Sequence, residues 1–306
     1  MNVGLIFPQL LNGLQYGILL FLLAAGLTLV FGIMNFVNLA HGSLYMLGAY
    51  FGATAFSLSG SFAIAVLAAV GGCVVLGFAL ERIAISRLYS RDHLDHVLAT
   101  FGLVLFFNEM AKIIWGPQPY FLPVPQFLDG TIDVFGITYP AYRFAIIAVG
   151  MAVAVGAHGL MHGTRLGMLI RAGAANPKMV SALGVNIELL NAFLFALGSA
   201  LAGLAGVMAG PILSVQIGMG EPVLITTLVV IVIGGVGSVS GAFYAALIVG
   251  IADTLGRAFL PTLLRDLMSR DLANAAGPAL ASMLIYVLMA GVLAFRPDGL
   301  FPSGRK

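Results

Sequence analysis

Nine apolar runs follow one another along this chain, at roughly 5–33, 42–57, 61–80, 97–115, 144–161, 189–210, 222–236, 241–256 and 277–295. A helix needs about 20 apolar residues to cross a bilayer. Inside lipid, every backbone N–H and C=O must be satisfied within the protein, which leaves helices or a closed barrel. Runs of this length select helices. The predicted fold class is all-α: a polytopic integral membrane protein with about 8–10 transmembrane helices, including a discontinuous or re-entrant segment.

Composition agrees. Charged residues make up 8% of the chain, against roughly 25% in soluble domains. A net charge of +2 does not point to nucleic acid, and the charges matter by their placement. The first ten residues carry no Lys or Arg, so they lack the basic start of a cleaved signal. The first run is read as a retained span. Cys73 is the single cysteine, which excludes an intrachain disulfide and suits a small packing residue.

Basic residues set the orientation. Arg82, Arg87 and Arg91 follow the third run, Arg165, Arg171 and Lys178 follow the fifth, and Arg296, Arg305 and Lys306 close the chain. Nine spans with the N-terminus outside put all three groups in the cytoplasm. Residues 257–276 break the pattern, with Arg257, Arg265 and Arg270 on the outer side among Asp266 and Asp271. Leu260, Leu263, Leu264, Leu267 and Met268 recur at helical spacing, which predicts an amphipathic helix on the outer interface. A re-entrant hairpin over 222–256 would place that segment inside instead.

The outer loop 116–143 holds five prolines and an alternating stretch, TIDVFGITYP, that predicts a short hairpin turning near Gly136. A lid, a docking surface and a stiff connector all fit it.

The second run begins in a polar cluster: Asn35, Asn38, His41, Gly42 and Ser43, with Tyr45 just beyond. Such side chains are costly in hydrocarbon unless hydrogen-bonded. One reading is a helix interrupted where polar groups face protein or a water-filled path. The other is a short cytoplasmic turn. The first makes these six residues candidates for a substrate pathway or gate.

The most polar inner segment is TRLGMLIRAGAANPKMVSALGVN, within the loop 162–187. It predicts two short helices. Asn176 suits an N-cap, Pro177 the first helical position and Gly184 a C-terminal stop. Met179, Val180 and Leu183 are expected to form one apolar face, a surface for a cytoplasmic partner or for the membrane interface.

Other clusters are weaker. GGVGSVSG, 234–241, superficially suggests phosphate binding, but no Lys follows and a packing turn explains it. His158 and His162 have the i, i+4 spacing of a metal pair with no further ligand, so no metal is assigned. Glu109 and Lys112 are placed to pair along a helix, and Asp253 is an isolated intramembrane acid. None of the lysines, Lys112, Lys178 and Lys306, lies in a P-loop motif, so any driving ATP has to bind another subunit.

The stretch GLQYGILLFLLAAGLTLVFGIMNFVNLAHGSLYMLGAY, the loop just described, IGGVGSVSGAFYAALIVG and the ending FRPDGLFP together resemble one family: permease subunits of bacterial branched-chain amino-acid ABC importers, of the LivH type. The outer loop and residues 257–276 match it least. The resemblance implies a single transmembrane permease domain over 1–306, in the inner membrane, with no covalent chemistry and no cofactor of its own. It implies a second homologous permease, two cytoplasmic ATP-binding subunits and a soluble periplasmic substrate-binding protein as partners. It also makes 162–187 a coupling loop, in which Arg165, Arg171, Ala174, Asn176, Pro177, Lys178, Met179, Leu183 and Gly184 would meet the ATPases. Related systems carry urea, amides or aromatic acids. A different class, an ion-coupled secondary transporter, would rely on Glu109 or Asp253.

Overall fold

The computed structural model describes residues 6–34, 38–89, 91–134, 136–265 and 268–301. Asn35, Asp266, Leu267, Arg305 and Lys306 lie outside the described residues. Eleven helices are present among them: α1 (Ile6–Met34), α2 (His41–Ser59), α3 (Phe62–Ile83), α4 (His93–Trp115), α5 (Ala141–Gly163), α6 (Arg165–Ala175), α7 (Pro177–Ala182), α8 (Ile187–Ala209), α9 (Gly220–Gly234), α10 (Val239–Leu264) and α11 (Arg270–Phe295). One hairpin interrupts them, β1 (Thr131–Val134) with β2 (Ile137–Pro140). Its strands pair antiparallel, Val134 opposite Ile137, and Gly136 turns at φ 79°. The fold is all-α apart from this hairpin.

Seven helices are long and apolar enough to cross a bilayer: α1, α3, α4, α5, α8, α10 and α11. The other two apolar runs, read from hydropathy as ordinary spans, form α2 and α9. Both start deep inside the bundle. His41, the first residue of α2, bonds through Nε2 to the Leu23 carbonyl, far from either end of α1. Gly220, the first residue of α9, lies against Gly42: a Cβ on Gly220 would sit 2.1 Å from the Gly42 carbonyl oxygen. Two broken helices thus meet near their N-termini and run to opposite faces. A backbone can leave the helix there only because protein surrounds it.

α1 packs along α10 as α3 packs along α8, and α1 and α8 cross at Gly26 and Gly198. α1 is buried nearly all round from Gln15 to Val30, which explains why it is apolar on every face. α4, α5 and α11 stand at the rim and expose Phe101, Phe106, Ile113, Val155 and Val287.

Contacts sort the ends of the bundle. Tyr139 and Arg143 both bond Asn12 near the start of α1, Trp115 bonds Thr54, and residues 120 and 215 form a two-way backbone bridge. Outer loop 116–143 is therefore strapped to one end. At the other end, Arg82 pairs with Glu188 at 3.7 Å. There Tyr89 donates to Glu81 at 2.9 Å, and burial together with that carboxylate pushes the phenol upward, so it stays protonated as a donor. Arg87, Arg165, Arg171, Lys178 and Arg296 share this end, which the positive-inside rule makes cytoplasmic.

Residues 257–276 do not form a separate interfacial helix. α10 runs on to Leu264 through Pro261, and α11 starts at Arg270. Of the residues at helical spacing, Leu260, Leu263 and Leu264 belong to the end of α10, Met268 falls between the two helices, and Leu267 lies outside the described residues. Gly277 lets α11 close on Pro261, where a Cβ would lie 2.8 Å from the ring.

Single-cysteine labelling checks the orientation. In a Cys73→Ala background, Asp129→Cys is expected to react with an impermeant reagent outside intact cells, and Arg87→Cys and Lys178→Cys only after permeabilisation. Outside labelling at position 178 would reverse the orientation.

Candidate functional site

Three features bear on function: the meeting of α2 and α9, a cavity at the cytoplasmic end, and the α6–α7 loop.

At the first, Asn38 and His41 are each 1% exposed. Asn38 accepts the Ala40 N–H at 3.0 Å, a local turn that aims the chain into α2. Its Nδ2 has no partner among the described residues. Gly42, Ser43 and Tyr45 are buried on α2, which packs against α3, α8 and α9. Asn35 is outside the described residues. The structure brings the other five together in the interior of the subunit, and none of them borders the cavity. Sequence reasoning missed the acid that follows Gly220. Glu221, in the first turn of α9, accepts a 2.6 Å bond from Asn108 of α4. A carboxylate there is favoured by the helix N-terminus. Its sole sequence signal is an acid opening a short apolar run.

The cavity, about 1110 Å³, is walled by α1, α5, α6, the ends of α9 and α11 and the start of α10. Phe31, Val155 and Phe243 give it apolar surface, while His158, His162, Ser240 and Thr28 give it polar groups. The two histidines stack at 4.3 Å between centroids. No group of three metal-ligating side chains is found among the described residues. GGVGSVSG proves to be a docking turn for the C-terminal segment: Leu300 and Phe301 donate backbone bonds to Ile233 and Gly234, and Ser238 caps α10 through Gly241 N–H.

In the loop, each helix start is capped, that of α7 by Asn176 as the sequence suggests. Thr164 caps α6 through Gly167 N–H, and Asn176 caps α7 through Met179 N–H at 3.0 Å. Pro177 is the first residue of α7, and Gly184 ends the turn at φ 88°. The expected apolar face divides: Val180 turns inward at 6% exposure, while Met179 and Leu183 point out at 60% and 77%. Arg165, Arg171 and Lys178 are exposed and Ala174 is half-buried. Replacing Asn176 with Ala is expected to cost about 1 kcal/mol of capping and to weaken nucleotide coupling only partly, read as a modest fall in substrate-stimulated ATP hydrolysis. A full loss would mean that Asn176 contacts the partner itself.

Asp253 and Glu109, the intramembrane acids singled out in the sequence, each have a basic partner. Arg257 binds Asp253 at 2.9 Å, and Lys112 lies 3.7 Å from Glu109. Cys73 is buried, with Sγ 3.4 Å from the Leu44 carbonyl.

A family model described as branched-chain amino acid transport system, permease component, matches residues 9–293. The chain belongs to this family. It is similar to the high-affinity branched-chain amino acid transport permease BraD of Pseudomonas aeruginosa, 28% identical over 95% of this chain and 94% of that one. It is likewise similar to LivH of Escherichia coli, 29% identical over 95% and 96%. A probable LivH of Methanocaldococcus jannaschii is 28% identical over 78% of each. No solved structure matches. The permease is thus a multi-pass membrane protein built on α1, α8 and two broken helices.

Proposed function

We propose that this permease is the membrane-spanning subunit of an ATP-driven importer that carries branched-chain or other hydrophobic amino acids across the bacterial inner membrane. The observation that carries this reading is the family match over residues 9–293, with relatives named for branched-chain amino acid transport along nearly their whole length. ATP-binding and substrate-binding subunits complete such a system. In our reading a second, homologous permease pairs with this one, two ATPases bind below, and a soluble periplasmic protein delivers cargo. ATP is bound by the partner subunits, since this chain has no P-loop lysine.

The loop from Arg165 to Gly184 transmits nucleotide state, supported by the outward Met179 and Leu183 on a capped, positively charged helix. The meeting of α2 and α9 acts as the gate, supported by two half-helices whose starts approach backbone to backbone at Gly42 and Gly220. Alternating access needs two arrangements of the same helices, each favoured by a different ligand state.

Co-purification in mild detergent, followed by uptake of labelled leucine, urea, an amide and an aromatic acid, tests the reading. ATPases and leucine uptake are expected; preference for another cargo would reassign the substrate. Within the gate, Asn38→Leu and His41→Leu each remove a buried hydrogen bond, about 1 kcal/mol. Each is expected to lower uptake roughly tenfold while the complex assembles. Normal uptake in both would leave the cluster a purely structural role.

A further inference from the structure

We propose that the permease binds a small monovalent cation of the sodium type between Glu221 and Asn108, where the ion clamps α4 to the start of the broken helix α9.

Glu221 is an intramembrane acid without a basic partner. The ion pairs found among the described residues join Arg82 to Glu188, Lys112 to Glu109 and Arg257 to Asp253. Lys112, one turn along α4 from Asn108, is thus committed to its own neighbour. Asn108 stands seven residues before Trp115, the last residue of α4, which places it about 10 Å down the helix. An uncompensated carboxylate is costly at such a depth.

The pair is half satisfied. Asn108 Nδ2 donates to Glu221 Oε1 at 2.6 Å. The other oxygen of each group, Glu221 Oε2 and Asn108 Oδ1, is buried and has no hydrogen-bond partner among the described residues. Both are acceptors, so neither can satisfy the other. A water molecule could donate to both, but it would leave the carboxylate charge uncompensated. A cation answers the two oxygens and the charge together.

The backbone supplies a further oxygen. Gly218, at φ 81°, lies beside the carboxylate: a Cβ there would sit 3.5 Å from Glu221 Oε2. Its carbonyl cannot accept a helical bond from four residues on, because Pro222 has no N–H. No backbone donor to it is found among the described residues. Unwound carbonyls at broken helices are suited to coordinating sodium inside membranes. Carboxylate, carboxamide and carbonyl oxygens are hard ligands, which disfavour soft transition metals. One carboxylate balances one positive charge, whereas a divalent ion would leave net charge buried. The ion bridges two helices and stays with them, so it supplies no driving force for uptake. α4 packs chiefly on α2, and the bridge adds a hold on α9.

Thermal unfolding of the full-length permease in detergent, in sodium chloride and in choline chloride at equal ionic strength, tests the site. The melting temperature is expected to rise saturably with sodium, by roughly 5 °C. Equilibrium dialysis with radioactive sodium should show the ion retained by the wild type. Glu221→Gln places an amide donor where it can bond Asn108 Oδ1 directly. That variant is expected to fold, to melt at one temperature in both salts and to retain no sodium. Asn108→Leu removes a ligand and should raise the sodium needed by about tenfold or more. Equal melting of the wild type in both salts, with no ion retained, would overturn the proposal. A sodium effect that persists unchanged in Glu221→Gln would also overturn it, by placing the ion elsewhere. So would a wild type that ignores sodium and gains stability on acidification when Glu221→Gln does not, since the two oxygens would then share a proton. Should Glu221→Gln fail to fold, sodium retention by the wild type and the Asn108→Leu titration decide the matter.

Discussion

Leu183→Asp is expected to abolish transport while leaving the permease itself intact. Leu183 is 77% exposed, so a carboxylate at that position meets water in the isolated subunit and costs little. The cost arises only when an ATPase covers the position. Burying an unpaired charge costs several kcal/mol, roughly 100-fold or more in affinity. Co-purification of the ATPases should therefore be lost, and substrate-stimulated hydrolysis with it. Val180→Asp is a useful contrast. Val180 faces inward, so its variant should lower the yield of the permease before any partner binds. Normal ATPase association in Leu183→Asp would remove α7 from the docking surface.

Gly220→Val is the second large effect. At this crossing a Cβ would lie 2.1 Å from the Gly42 carbonyl oxygen and 2.5 Å from its carbon. These are backbone atoms, so no side chain can yield. Overpacking typically costs about 1–3 kcal/mol, and here the two helix starts must separate. Transport should vanish and thermal stability should fall. Gly71→Ala is the control: nothing lies within 4 Å of the Cβ it would add, so uptake and stability should stay at wild-type levels. Equal damage from both variants would show that the crossing has no special role.

Hydropathy located all nine embedded helices, because the bilayer imposes its own length on each apolar run. It could not locate depth. Residues 42–57 and 222–236 look like short spans because composition carries no record of where a helix begins in the membrane. That depth is set by Gly42 against Gly220, residues brought together only by the fold. Helix caps were legible at Asn176 and Gly184, since each acts within one turn of its own chain. The orientation of Met179 and Leu183 was less so: a six-residue helix has no full face, and the packing of Val180 decides its rotation. At 257–276, the interleaved charges and leucine spacing suggested a helix lying on the outer interface, yet α10 continues through Pro261 to Leu264. The polar cluster was visible because Asn38 and His41 are costly in lipid. Its partners Leu23 and Gly220 offer only backbone, which leaves no mark in a sequence. The cavity was invisible for a related reason. Its walls come from six helices, and its polar residues are ordinary taken singly.

The most direct test of the importer reading is leucine accumulation in proteoliposomes that hold the permease with its co-purified partners and binding protein. Accumulation is expected to require ATP inside the vesicles and to survive ionophores that collapse proton and sodium gradients. Uptake that proceeds without ATP and stops when those gradients collapse would contradict it, and would make the permease an ion-coupled transporter.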